Sequence, residues 1–173
     1  MSHFRALESH GCPVVPRRHL ACEPLPSTLD AGFDLDSSQI VLCSDKTGPS
    51  PSRVASLLAH EMVHAFDRCT AHVDFADSAH LACTEVRAAA LVHCRTVPCV
   101  TGREECVKGR AVASVVAVKG VTPAEAREQV DRVFDKCYAD KEPFGRFAYD
   151  AASESAAEQE YETFTRWRRK RQE

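Results

Sequence analysis

Two histidines four positions apart, with a glutamate directly after the first, form the segment His60-Glu61-Met62-Val63-His64. On an α-helix, positions four apart project from one face, one above the other, so both imidazoles can share one cation. Glu61 sits beside His60 and three residues before His64. It leans over the same place and can hold a water that the ion polarises, which is the chemistry of metal-assisted peptide hydrolysis. Leu57, Leu58, Ala59, Val63 and Phe66 surround the motif with apolar side chains. Two imidazoles and a carboxylate in such company carry a desolvation cost that a bound metal offsets. The plainer alternative is an amphipathic helix whose polar face happens to carry them.

A hydrolytic zinc site takes three protein ligands and leaves a position open. Glu85, 21 positions after His64, is the expected third ligand. A helix hairpin can return it to the ion, and Ala88 and Ala89 allow the two helices to approach closely. Asp67, one turn beyond His64, is the runner-up, reaching the ion only if the helix ends or bends there. His72, His80 and Cys83 are further options. If Asp67 is not a ligand, it can hydrogen-bond a ligand imidazole and fix its tautomer. Arg87 and His80 are candidates for facing a substrate or an oxyanion, against ordinary ion pairing for Arg87 and plain surface exposure for His80.

The elements that must position these groups are partly legible. Pro13, Pro16, Pro24 and Pro26 predict an irregular segment over 1–34. Ile40-Val41-Leu42 predicts a short strand over 38–43, either an edge or a member of a small sheet. As an edge it could bind an extended peptide by strand addition, against a plain packing role. Ser50-Pro51 reads as a cap and first helical residue, opening a helix over 51–69 that carries the motif. A second helix is expected over 77–93 and a third over 103–118, after a link punctuated by Pro98 and Gly102. Thr122-Pro123-Ala124-Glu125 is a capping-box start for a fourth. A last helix is expected over 150–169, running into Arg166-Trp167-Arg168-Arg169-Lys170-Arg171, read as a solvated terminus or a contact with an anionic surface. The fold class is therefore α+β, mainly helical with a small sheet. An N-terminal cysteine-containing segment (1–34) packs on a main domain (35–149), followed by a C-terminal helix and basic tail (150–173).

At 173 residues with 44% hydrophobic and 27% charged residues, the chain is long enough for one core. Its net charge of −3 excludes a generally basic nucleic-acid-coating protein, and no nucleic-acid partner is expected. The longest apolar run, Ala111 to Val118 and broken by Ser114, is far short of the roughly 20 residues that span a bilayer. Met1 to Glu8 has neither a secretory apolar core nor an Arg-rich amphipathic pattern, so no cleaved presequence is expected. Nine spread cysteines without tight CxxC pairs read as a disulfide framework in an oxidising compartment, with buried thiols as the alternative.

Several stretches together resemble the mitochondrial intermembrane-space metalloprotease family that processes and helps assemble ATP synthase subunit 6, also called Ku-binding proteins. They are His60 to Asp67, Val73-Asp74, His80-Leu81-Ala82-Cys83-Thr84-Glu85-Val86-Arg87-Ala88, Cys106-Val107-Lys108, Arg110-Ala111, Cys137 to Asp140 and Pro143-Phe144. Gly32-Phe33 and Ile40 to Cys43 also fit, so the likeness runs over 11–147. The resemblance implies a zincin-like metalloprotease domain with Zn2+ as cofactor, His60 and His64 as ligands and Glu61 as catalytic acid/base. It places the third ligand in the Cys83–Ala88 segment. It further implies a protein substrate, the precursor of ATP synthase subunit 6, an assembly role separate from proteolysis, and peripheral association with the inner membrane. Members commonly have a cysteine where this chain has Leu25, which accounts for the odd count and affects one N-terminal disulfide.

Overall fold

The computed structural model describes residues 2–46 and 50–143. The expected helix over 150–169 and the basic run over 166–171 lie outside the described residues. The segment expected to be irregular is instead built of short elements. Helix α1 (Ser2–Ser9) and the single turn α2 (Pro16–His19) precede strands β1 (Leu20–Glu23) and β2 (Ala31–Asp34). Prolines do bound these elements, but burial of Ala6 and Leu7 against Met62, Phe66 and Ile40 holds them in place. Tertiary contact has overridden weak local signals.

Strand β3 (Gln39–Cys43) occupies nearly the expected span, but it is the centre of the sheet and not an edge. It pairs in parallel with β1, Leu20 opposite Ile40 and Cys22 opposite Leu42. On its other side it pairs antiparallel with β2, Gly32 opposite Val41 and Phe33 opposite Ile40. Its backbone donors and acceptors are therefore already used on both sides. Both partners come from the stretch read as irregular, which is why β3 looked exposed.

Helix α3 (Pro51–Thr70) begins as expected, with the Ser50 hydroxyl accepting from the Arg53 amide and Pro51 in the first turn. Helix α4 (Ser78–Ala88) is capped by the Asp77 carboxylate, which accepts from the amides of Ala79 and His80. It continues into a π-helical segment, Ala89–His93, so the span expected as one helix changes pitch near its end. Helix α5 (Val100–Lys119) starts three residues before the expected 103. The Cys99 sulfur accepts from the Gly102 amide, placing Gly102 in the first turn. Helix α6 (Pro123–Ala139) opens with the Thr122–Glu125 capping box.

Two apolar cores result. Leu81, Val86, Val107, Val115, Val130 and Phe134 join α4, α5 and α6. Leu7, Ile40, Met62 and Phe66 join α1, the sheet and α3. Val63, Ala88 and Leu91 weld the two halves where α3 meets α4, so the motif helix is gripped from both sides. Three disulfides among the described residues add to this: Cys12–Cys69, Cys83–Cys137 and Cys94–Cys106. Cys22, near Leu25, is an exposed thiol. No helix among the described residues is long and apolar enough to cross a membrane.

Candidate metal centre

Helix periodicity puts His60 and His64 on one face of α3, and the close packing of Val63 against Ala88 brings α4 onto that face. The small side chain of Ala88 allows this approach, while Ala89, expected to share in it, packs into the core with α5 and α6. Glu85, one turn before Ala88 on α4, then enters the site. The Nε2 atoms of His60 and His64 lie 3.1 Å apart. Glu85 Oε2 is 3.4 Å from His60 Nε2, and Oε1 is 3.5 Å from His64 Nε2. These residues form the one group of three or more His, Cys, Asp or Glu donors among the described residues that could hold a metal ion. His64 and Glu85 are buried, at 5% and 4% exposure.

The donors fit a metal. Zinc bonds of about 2.0–2.1 Å at tetrahedral angles separate neighbouring donor atoms by roughly 3.3 Å, close to the spacings here. The far nitrogens of both rings are already engaged. His64 Nδ1 lies 2.8 Å from the Thr84 hydroxyl, whose own proton is donated to Asp67 Oδ2 at 2.6 Å. With that proton committed, Thr84 accepts from His64 Nδ1–H, and the His64 Nε2 lone pair turns into the site. His60 Nδ1 lies 3.1 Å from Nε2 of His93. Glu85 Oε2 is a fully buried acceptor without a hydrogen-bond donor. Lone pairs converging on an orphan carboxylate oxygen need a cation between them.

For His64 and Glu85 the electrostatics agree with that donor set, whereas His60 favours its proton until a cation displaces it. Burial drives the His64 imidazole down to about 4, so it stays neutral. Burial opposes charge on Glu85, but the neighbouring imidazoles and the Ser114 hydroxyl outweigh it and hold the carboxyl near 2. Burial likewise opposes charge on His60, yet contact with Glu85 outweighs it and raises that imidazole. Glu61 is 5% exposed, and burial pushes its carboxyl up to about 7, the range in which a group can both take and return a proton.

The other expected residues fall elsewhere. Asp67 faces Thr84 and Arg87 and not the donor cluster. α3 continues as a helix to Thr70, and the short Asp67 side chain is held by Thr84 and Arg87. Arg87 is buried in ion pairs with Asp67 and Asp140 and donates to the Glu142 carbonyl at 2.8 Å. That commits it to structure, not to a substrate. His80 is exposed in the first turn of α4 and accepts from the Asp74 amide. Cys83 is in a disulfide, and His72 is exposed beside a cavity of about 410 Å³ that it shares with His10, Asp67 and Arg87.

Sequence reasoning missed Thr84, His93, Ser114 and Arg110. Thr84 adjoins Glu85 and could have been found by asking what would hold His64. Arg110 is exposed on α5, one turn before Ser114, and its charge reaches His60 and His93.

Comparison with known proteins gives a consistent picture. The family model described as the Peptidase M76 family matches residues 3–145. A Danio rerio protein named mitochondrial inner membrane protease ATP23 homolog is 38% identical over 172 residues, covering 94% of this chain and 67% of its own length. The Xenopus laevis and Homo sapiens proteins of the same name are each 37% identical over 172 residues. They also cover 94% of this chain, and 73% and 70% of their own lengths. No solved structure matches. The family match takes in α3, α4 and the residues that brace their imidazoles and carboxylates, and the chain belongs to the Peptidase M76 family.

Proposed function

We propose that this chain is a zinc-dependent endopeptidase of the mitochondrial intermembrane space, peripheral to the inner membrane. Its proposed substrate is the precursor of ATP synthase subunit 6, and it assists ATP synthase assembly. The observation that carries the enzymatic reading is the 3.1–3.5 Å spacing of three buried donor atoms on His60, His64 and Glu85. The compartment and substrate rest on the family and on the motif resemblance, supported by relatives named mitochondrial inner membrane proteases.

His60, His64 and Glu85 would hold the zinc. When bound, the ion supplies Lewis-acid chemistry, polarising a carbonyl and acidifying water. Glu61, adjacent to His60, takes a proton from the attacking water and delivers it to the leaving amine.

Peptide binding is assigned to β2, since both sides of β3 are occupied and, of the two outer strands, β2 packs against the motif helix α3. The Asp30 carbonyl accepts from the Cys43 amide, so the antiparallel alternation turns the backbone groups of Ala31 and Phe33 outward. No strand among the described residues pairs with that edge. Phe33 packs against the apolar cluster that contains Met62, the residue after Glu61, and β2 lies against α3, so a peptide added there runs alongside the motif helix.

A non-proteolytic assembly factor on the same fold is the rival reading, and the buried Glu61 beside the donors favours catalysis. The test uses the oxidised, zinc-loaded chain with the subunit 6 precursor in inner-membrane vesicles. Glu61→Gln should retain one zinc per chain and leave the precursor uncut. Wild-type rates of cleavage by that variant would defeat the mechanism, and a zinc-loaded wild type that cuts nothing would favour the assembly factor.

A further inference from the structure

The geometry points to His93 as a positioning residue of the metal centre, the acceptor that orients His60 and selects its tautomer. This inference rests on the proposed ligand set of His60, His64 and Glu85.

His93 reaches the site because of a local change of helix type. After α4 the backbone continues as a π-helix through His93, and the Cys94 amide donates to the Ala89 carbonyl five residues back, at 2.9 Å. Eight residues of regular α-helix would leave His93 about 80° round the axis from Glu85. The wider π-turn rotates each residue less and carries His93 back toward the Glu85 side. Such segments are rare and tend to accompany functional sites. The next residue, Cys94, is fully buried and bonded to Cys106 on α5, so the segment is anchored where it ends.

The half-buried His93 ring then bridges two positions on one face of α3. Its Nε2 is 3.1 Å from Nδ1 of His60, and its Nδ1 is 3.5 Å from the hydroxyl of Ser56, one turn earlier. The ring centroids of His60 and His93 are 5.1 Å apart. With the His93 proton on Nδ1 directed to Ser56, His93 Nε2 accepts from His60 Nδ1–H. The lone pair of His60 Nε2 is then left facing Glu85 and His64. Thr84 performs the same office for His64, so each ligand imidazole has its own acceptor behind it. Groups bonded to the far nitrogen of a ligand histidine typically contribute 10–100-fold in metal affinity. Neither His93 nor its acceptor position is visible from helical periodicity, because the π-turn shifts the register.

The experiment compares zinc affinity by chelator competition for the full oxidised wild-type chain, His93→Ala, His93→Gln and His93→Asn, with cobalt(II) absorption spectra as a probe of ligand geometry. Metal-free melting curves serve as the folding control. Gln can place an amide oxygen near the position of the imidazole Nε2, whereas Asn is too short. The expected result is a 10–100-fold loss of zinc affinity and an altered cobalt spectrum for Ala and Asn, with Gln restored to within a few-fold of wild type. Wild-type affinity and spectrum in the Ala variant would overturn the proposal. So would equal losses in Gln and Asn, which is the comparison that decides if the Ala variant does not fold. A wild-type chain that takes up no zinc would overturn the ligand set itself, and this inference with it.

Discussion

Arg87 grips the carboxylate of Asp67, with Nε and Nη2 each 2.9 Å from Oδ1, and both side chains are buried. This pair joins the motif helix to α4 from behind the metal centre. It also supplies the acceptor that orients Thr84, and through Thr84 the imidazole of His64. The residue with the strongest rival claim to be a ligand is thereby committed elsewhere.

Removing Asp67 leaves a buried guanidinium without its principal partner. Asp67→Ala is expected to destabilise the metal-free protein by about 3–5 kcal/mol in urea titration, the usual cost of breaking a buried pair from one side. A loss below about 1 kcal/mol would mean that water reaches Arg87 and takes the place of the carboxylate.

Thr84→Val keeps the shape of the side chain but removes the acceptor for His64 Nδ1–H. Zinc affinity should fall about tenfold or more, and Thr84→Ser should recover most of it. Chelator competition measures both. Equal affinities in Val and wild type would detach the hydroxyl from the metal site.

Glu61 makes stability depend on pH in a defined direction. Its carboxyl is raised from 4.5 to about 7 by burial, so the folded metal-free protein keeps a proton that the unfolded chain has released. The stability linked to that proton is complete below pH 4.5 and is lost as pH rises through about 7. Glu61→Gln does not titrate. It should therefore gain on wild type as pH rises from 4.5 to above 7, by on the order of 3 kcal/mol in all. Denaturation of chelator-treated protein at pH 5 and pH 8 reads the difference, and a pH-independent gap would show that the carboxylate is hydrated.

The Cys83–Cys137 disulfide closes a separation of 54 residues between α4 and α6, two positions before Glu85. Replacing both with serine should cost about 4 kcal/mol by the loop-entropy relation. Zinc affinity should drop as well, because Glu85 loses a nearby anchor. Unchanged affinity in the folded double variant would show that core packing alone positions the carboxylate.

Local chemistry was legible wherever its partners lie within a few residues. The His60–His64 pairing follows from helical pitch, and the starts at Ser50-Pro51 and Thr122–Glu125 from orphan amides that need acceptors. Glu85, 21 positions beyond His64, was only the favoured of several third donors that a helix hairpin could return. What depends on distant segments was not legible. β3 read as an edge because nothing in Ile40-Val41-Leu42 reveals that Leu20–Glu23 and Ala31–Asp34 will flank it. Asp67 read as a possible ligand because Arg87 is 20 residues away, and His93 was overlooked because periodicity assumes a constant pitch. The sequence by itself determined that His60 and His64 can share a cation on one helix, and it left the third donor open between Glu85, Asp67 and others. Tertiary structure decided which nitrogen of each imidazole faces inward, since that depends on hydrogen bonds closed between chain segments far apart in sequence.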